Sequence, residues 1–199
     1  MKTFNNNFAG VKDAKELLIT IDMVNGFVKE GTLAAPNIMD VVPRQVELLQ
    51  EAVNDDKTGL IFIRDCHRKD SVELKRYAPH CIEGTSETEV IDELKNYVIY
   101  GLTFFKNSTN LTYTLQKSLL EFKNLERINL MGCLSEVCVL DGALGLRTYL
   151  DEMNKDVEVC VYPDAIDTYD APGHDRKEIN EKAIAFMEAN GIKILRKER

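Results

Sequence analysis

The sequence predicts an α/β protein with three α/β/α layers around a mostly parallel sheet of about six strands. Three observations carry that reading. Short β-rich runs alternate with longer amphipathic stretches, the rhythm of βαβ units whose sheet is covered on both faces. The 199 residues suit one large domain able to bury roughly two-thirds of its unfolded surface. No internal repeat, low-complexity tract or Pro/Ser-rich linker divides the chain, so residues 1–199 are expected to form a single domain.

In order, the predicted strands are ELLITID (16–22), GLIFIRD (59–65), NYVIYG (96–101), RINLMG (127–132), VEVCVY (157–162) and IKILR (192–196). Between them, amphipathic patterns near 40–55, 110–123, 138–153 and 176–190 predict helices. The segment 66–95 fits this rhythm poorly. It carries Pro79, Gly84, His67, His80 and Cys81, and long excursions from a compact fold tend to carry function.

Composition narrows the partners. Lys and Arg total 25 against 33 Asp and Glu, a net charge of -8, and no basic stripe interrupts that acidity, which argues against nucleic acid and anionic membrane. The opening MKTFNNNFAGVKDAKE lacks the apolar core of a signal peptide, and no apolar run approaches the roughly 20 residues of a membrane helix. Cysteines at 66, 81, 133, 138 and 160 are odd in number and scattered, unlike a disulfide framework, which suits a reducing compartment. A cytoplasmic protein is expected.

Ligands of open α/β sheets bind beyond the carboxyl ends of the strands. There the predicted strands deliver Asp22, then Asp65 with His67 just beyond, then Lys106, then the path through Gly132 to Cys138. Cys138 falls near a predicted helix start, where free backbone N–H groups and the helix dipole favour thiolate and can receive an oxyanion. Cys66, Cys81, Cys133 and Cys160 read as small buried hydrophobes. Asp22 closes an otherwise apolar strand, so a partly desolvated carboxylate could exchange a proton with the thiol; alternatively it caps the turn MVNG. Lys106 could hold that carboxylate and stabilise negative charge, although a single lysine is more often a solvated surface residue.

A second constellation is DCHRKDSVELKRYAPHC, residues 65–81. Asp65 and His67 share one side of an extended segment, with Glu73 and His80 able to fold back. Two imidazoles and one or two carboxylates suit Zn²⁺, Mn²⁺ or Fe²⁺ better than they suit ordinary hydrogen bonding. His174 reads as structural.

These residues, in this order, resemble the isochorismatase-like cysteine hydrolase superfamily, and within it the nicotinamidases, over nearly the whole chain. The matching residues are Asp22, Asn25 and Phe27 for an Asp-x-x-Asn-x-Phe pattern, then Lys106, then the segment Gly132 to Val139, with Ser135-Glu136 where the family has Thr-Asp. The resemblance implies a catalytic trio of Asp22, Lys106 and Cys138, a cis peptide between Cys133 and Leu134, and oxyanion donors on Leu134 and Cys138. The nicotinamidase-type loop is matched by Asp65, His67, Glu73, His80 and CIEGT. It implies one divalent metal ion, zinc first with manganese or iron as alternatives, receiving a pyridine nitrogen, and no organic cofactor. Phe27 and Leu134 would contact the substrate, while Leu111 and Thr109 depart from the Phe and Ser of many members. The implied reaction converts nicotinamide to nicotinic acid and ammonia through a Cys138 thioester, in a homo-oligomer. The alternatives are a ureido or carbamoyl amidase, a metal-free isochorismatase-like hydrolase, and a silent member that only binds.

Overall fold

In the computed structural model, which describes residues 11–196, six strands form one all-parallel sheet. They are β1 (Glu16–Ile21), β2 (Thr58–Asp65), β3 (Gly101–Lys106), β4 (Arg127–Cys133), β5 (Glu158–Asp167) and β6 (Lys193–Ile194), in the order β3-β2-β1-β4-β5-β6. The four main helices are α1 (Val42–Asn54), α2 (Thr112–Leu119), α3 (Leu140–Glu152) and α4 (Arg176–Ala189).

Side chains alternate across the sheet and build a core on each face, as the period of two along a strand requires. Leu17, Ile19 and Ile21 of β1, with Ile61 and Ile63 of β2 and Ile128 and Leu130 of β4, pack with Leu115 of α2, Leu146 of α3 and Met187 of α4. Leu18, Leu60, Phe62 and Met131 point the other way, toward Leu48 and Leu49 of α1 and Ile91 and Leu94 of the long excursion. The expected three layers are therefore present. No helix among the described residues is long and apolar enough to cross a membrane. Residues 1–10, read above as lacking a leader, lie outside the described residues.

Three elements differ from their sequence reading. The third strand is not 96–101: Val98–Tyr100 is a 3-10 turn, and the strand runs from Gly101 to Lys106. The apolar run earns its hydrophobicity by packing Tyr97, Val98 and Tyr100 against the α1-side core, whereas the true strand is an edge and half exposed. Lys106 accordingly closes β3 and pairs in register with Asp65. Strand β5 continues past Pro163 to Asp167, because a register shift opposite Leu130 and Gly132 accommodates the residues around the proline, which cannot donate to the ladder. Strand β6 shrinks to two residues.

The chain builds β1, β2 and β3 outward in one direction, then returns to lay β4 against the other side of β1. The carboxyl ends of β1 and β4 diverge there, and a crevice opens at such a reversal.

Candidate active site

Four strand ends supply the crevice. Asp22 follows β1 with φ of +53°, a left-handed conformation that Asp tolerates better than most residues. Its carboxylate does not cap the following turn. It forms an ion pair with Lys106 Nζ at 2.8 Å, and both side chains are buried.

Lys106 Nζ also donates to Asp65 Oδ1 at 2.9 Å and lies 3.7 Å from Cys138 Sγ. One ammonium therefore touches the two carboxylates and the thiol. A buried lysine so surrounded is not a surface residue; burial disfavours its charge, but Asp22, Cys138 and Asp65 hold its pKa well above the ordinary value.

The thiol arrives by a tight route. β4 ends at Gly132 and Cys133, where Gly132 has φ of +133° and an added Cβ would stand 2.0 Å from the Ile21 carbonyl oxygen. Only glycine allows β4 and β1 to approach that closely. The Cys133–Leu134 peptide bond is cis, and Ser135–Val139 then makes one π turn that runs straight into α3. Cys138 sits in that turn, with the Val137 and Val139 amides both donating to the Leu134 carbonyl at 3.1 Å.

Electrostatics modify the sequence reading at one point. A helix-start cysteine was expected to be held as thiolate, but burial pushes the Cys138 thiol well above its ordinary pKa, and Lys106 offsets this only in part. Burial likewise lifts Asp22, against the pull of Lys106, to about 6. Burial thus favours a carboxylate beside a thiol over a thiolate, an arrangement in which Asp22 can act as a base toward the sulfur. For Asp65 burial acts upward too, yet Lys106 and the two imidazoles overcome it and hold the carboxyl well below the usual carboxylate range.

The long excursion brings both histidines to Asp65. The His67 amide donates to the Cys81 carbonyl and the Glu83 amide to the His67 carbonyl, at 2.8 and 2.9 Å, which folds the loop back on itself. His80 consequently returns over His67, ring centroids 4.7 Å apart. Asp65 Oδ2 is 2.9 Å from His67 Nε2 and 3.1 Å from His80 Nε2, and one donor atom from each of the three buried residues falls within 4.8 Å of the others. His80 Nδ1 faces the Ala78 carbonyl at 2.8 Å, an oxygen that only accepts, so the neutral ring keeps its Nε2 lone pair for a metal. This donor set fits a divalent ion of the zinc type.

Glu73 stands one step back. Its carboxylate approaches His67 Nε2 only to 4.0 Å and accepts from the Thr109 amide and hydroxyl, each at 3.1 Å. The two constellations read separately in the sequence are one cluster, because Asp65 gives one oxygen to Lys106 and the other to the histidines.

A cavity of about 430 Å³ opens onto this cluster and is lined by Phe27, Asp65, His80, Leu134 and Cys138, among others. Phe27 meets His80 at 5.5 Å between ring centroids. Thr109 also lines the cavity, whereas Leu111 is fully buried in the core beneath α3. Two aromatic lining residues were missed from sequence: Tyr77, edge-on to His80 at 6.4 Å, and Tyr169 beyond β5. The Tyr-x-Pro-His spacing could have flagged Tyr77; nothing local marks Tyr169. The five cysteines are free; Cys81, Cys133 and Cys160 are buried as expected, while Cys66 is partly exposed.

Comparison with known proteins gives the family and the fold. Residues 16–198 match the isochorismatase domain model, and the chain belongs to that family of hydrolases. It is 27% identical over 192 residues to nicotinamidase 1 of Arabidopsis thaliana, covering 84% of this chain and 75% of that protein. Among solved structures it superposes on a zinc-bound pyrazinamidase of Pyrococcus horikoshii at 22% identity and TM-score 0.72, covering 92% of this chain and 99% of that one. It also superposes on an N-carbamoylsarcosine amidase of Thermoplasma acidophilum, at 22% identity and TM-score 0.71, covering 93% and 98%. Similarity at this level to both shows the shared fold.

Proposed function

We propose that the protein is a nicotinamidase, releasing ammonia and nicotinic acid from nicotinamide through a thioester on Cys138. The observation that carries this reading is the single Lys106 ammonium, 2.8 Å from Asp22, 2.9 Å from Asp65 and 3.7 Å from Cys138, which joins a base-and-thiol pair to a metal-type donor set beside one cavity.

In this reading Asp22 takes the Cys138 proton as the sulfur attacks the carboxamide carbon, and Lys106 keeps the charges in register. The Leu134 and Cys138 amides receive the oxyanion. Asp22 returns the proton to the leaving nitrogen, breaking the C–N bond and freeing ammonia. The same carboxylate then draws a proton from water, whose oxygen attacks the thioester; nicotinic acid departs and the thiol is restored. Asp65, His67 and His80 would hold one divalent ion, with Glu73 in support, and no organic cofactor is called for. When bound, that ion supplies a Lewis-acid contact that orients the ring nitrogen. Phe27 and Leu134 pack against the ring.

Supplying nicotinamide and N-carbamoylsarcosine in parallel to the zinc-loaded protein tests the assignment. Ammonia from nicotinamide at a kcat/KM at least about 10²-fold higher is expected, a difference of some 2.7 kcal/mol between transition states. Preference for the carbamoyl compound would transfer the protein to the ureido and carbamoyl amidases.

A further inference from the structure

The loop after β5 reaches the cavity and is held there by a residue of the nucleophile's own turn. Tyr169 lines the cavity, and its ring stacks on His174 with centroids 3.8 Å apart and planes 10° from parallel. His174 Nδ1 is 3.0 Å from the Tyr169 carbonyl oxygen and Nε2 is 3.0 Å from Glu136 Oε1. The same Glu136 oxygen accepts from the Thr168 hydroxyl at 2.9 Å, and Asn37, itself a lining residue, donates to the Thr168 carbonyl at 2.7 Å. A two-residue reversal between Ala171 and His174, bonded at 3.1 and 2.8 Å with Gly173 at φ +80°, brings the imidazole back over the ring.

Neither Tyr169 nor His174 belongs to a hydrophobic core, and Tyr169 is 36% exposed. The stack therefore contributes little to the sheet's packing; what it fixes is the orientation of one aromatic ring at the cavity. Phe27 and Tyr77 line the same cavity, so aromatic rings reach the pocket from three separate parts of the chain.

We propose that Tyr169 is a specificity-determining wall that favours planar aromatic substrates, and that His174 and Glu136 are the positioning residues that hold its ring. The inference rests on the amide-hydrolase reading and deepens it by naming the residues that select a planar acyl group. It also gives a task to Glu136, one of the two residues at which the chain departs from the Thr-Asp pattern.

The test measures protection of Cys138 from iodoacetamide by product-like acids, each variant compared with its own unprotected rate. Nicotinate and benzoate are the planar probes and propionate is the non-planar control. Tyr169→Ala should raise the half-protecting concentration of both planar acids about three- to tenfold, the range of one aromatic contact, and leave propionate unchanged. Tyr169→Phe should behave like wild type, since the ring and not the hydroxyl is used. His174→Ala should reproduce the Tyr169→Ala defect, and the double variant should be no worse than either, the signature of one shared element. Glu136→Ala, which removes the oxygen that both Thr168 and His174 contact, gives a second route to the same loss should His174→Ala fail to fold. Equal protection of Tyr169→Ala and wild type, planar and non-planar acids weakening together, or no planar acid protecting wild type would each overturn the proposal. Because the readout is protection, absence of ammonia from nicotinamide with ring selectivity intact would remove the nicotinamidase reading and leave this inference standing.

Discussion

Replacing Cys138 with Ala is expected to lower nicotinamide turnover at least ~10⁴-fold while the melting temperature stays near that of wild type, because in the proposed mechanism this sulfur forms the covalent bond. Asp22→Asn and Lys106→Ala should be nearly as severe, and the triple variant no worse than Cys138→Ala alone, since groups that act as one unit lose their effect together. Asp22 adds a pH signature. Burial raises its carboxyl to about 6, so below that pH it is protonated and cannot accept the thiol proton, whereas above it the base is available. Measured kcat/KM should therefore fall as pH drops through about 6 and level off above it. A Cys138→Ala enzyme retaining more than about a hundredth of wild-type activity, a loss under some 2.7 kcal/mol, would exclude a covalent role for the thiol.

The second large effect concerns the metal. His80→Ala is expected to remove stoichiometric zinc and depress turnover about 10²-fold or more, because a misplaced carboxamide is as damaging as a missing catalytic group. Iodoacetamide labelling of Cys138 should persist, since the substitution leaves in place Lys106, which bridges Asp22 and Asp65 at 2.8 and 2.9 Å beside the sulfur. Metal content, turnover and labelling measured on one preparation separate these roles. Retained metal would remove His80 from the ligand set, and lost metal with full turnover would remove the positioning role.

Much of this site was legible because strand ends speak through residue type. Asp22, Asp65 and Lys106 each close an apolar run, and a charged residue in that position has little other business at the edge of a buried sheet. The fold class followed chiefly from the alternation of strand-like and helical stretches. What the sequence concealed was of two kinds. The third strand slipped because an apolar run packed as a 3-10 turn, while the true strand, half exposed at the sheet edge, looked less hydrophobic. Depth was the other. Pattern placed Lys106 beside Asp22 but could not show that it also holds Asp65, nor that burial would leave Cys138 a thiol in spite of its helix-start position. Glu73 looked like an equal member of the ligand set, yet its carboxylate is engaged by Thr109, a partner 36 residues away. Tyr169 was invisible because its place in the cavity depends on a loop anchored by Glu136 and Asn37, contacts that no local pattern announces.

The central claim is the acyl-enzyme on Cys138, and hydroxylamine tests it most directly. A thioester is captured by this nucleophile in competition with water, so turnover of nicotinamide by the zinc-loaded enzyme should yield nicotinohydroxamate at the expense of nicotinic acid, in proportion to the hydroxylamine added, while ammonia release continues. Cys138→Ala should form none. If nicotinic acid remained the sole product at every hydroxylamine concentration, water would be attacking the amide directly, and the covalent mechanism would be contradicted.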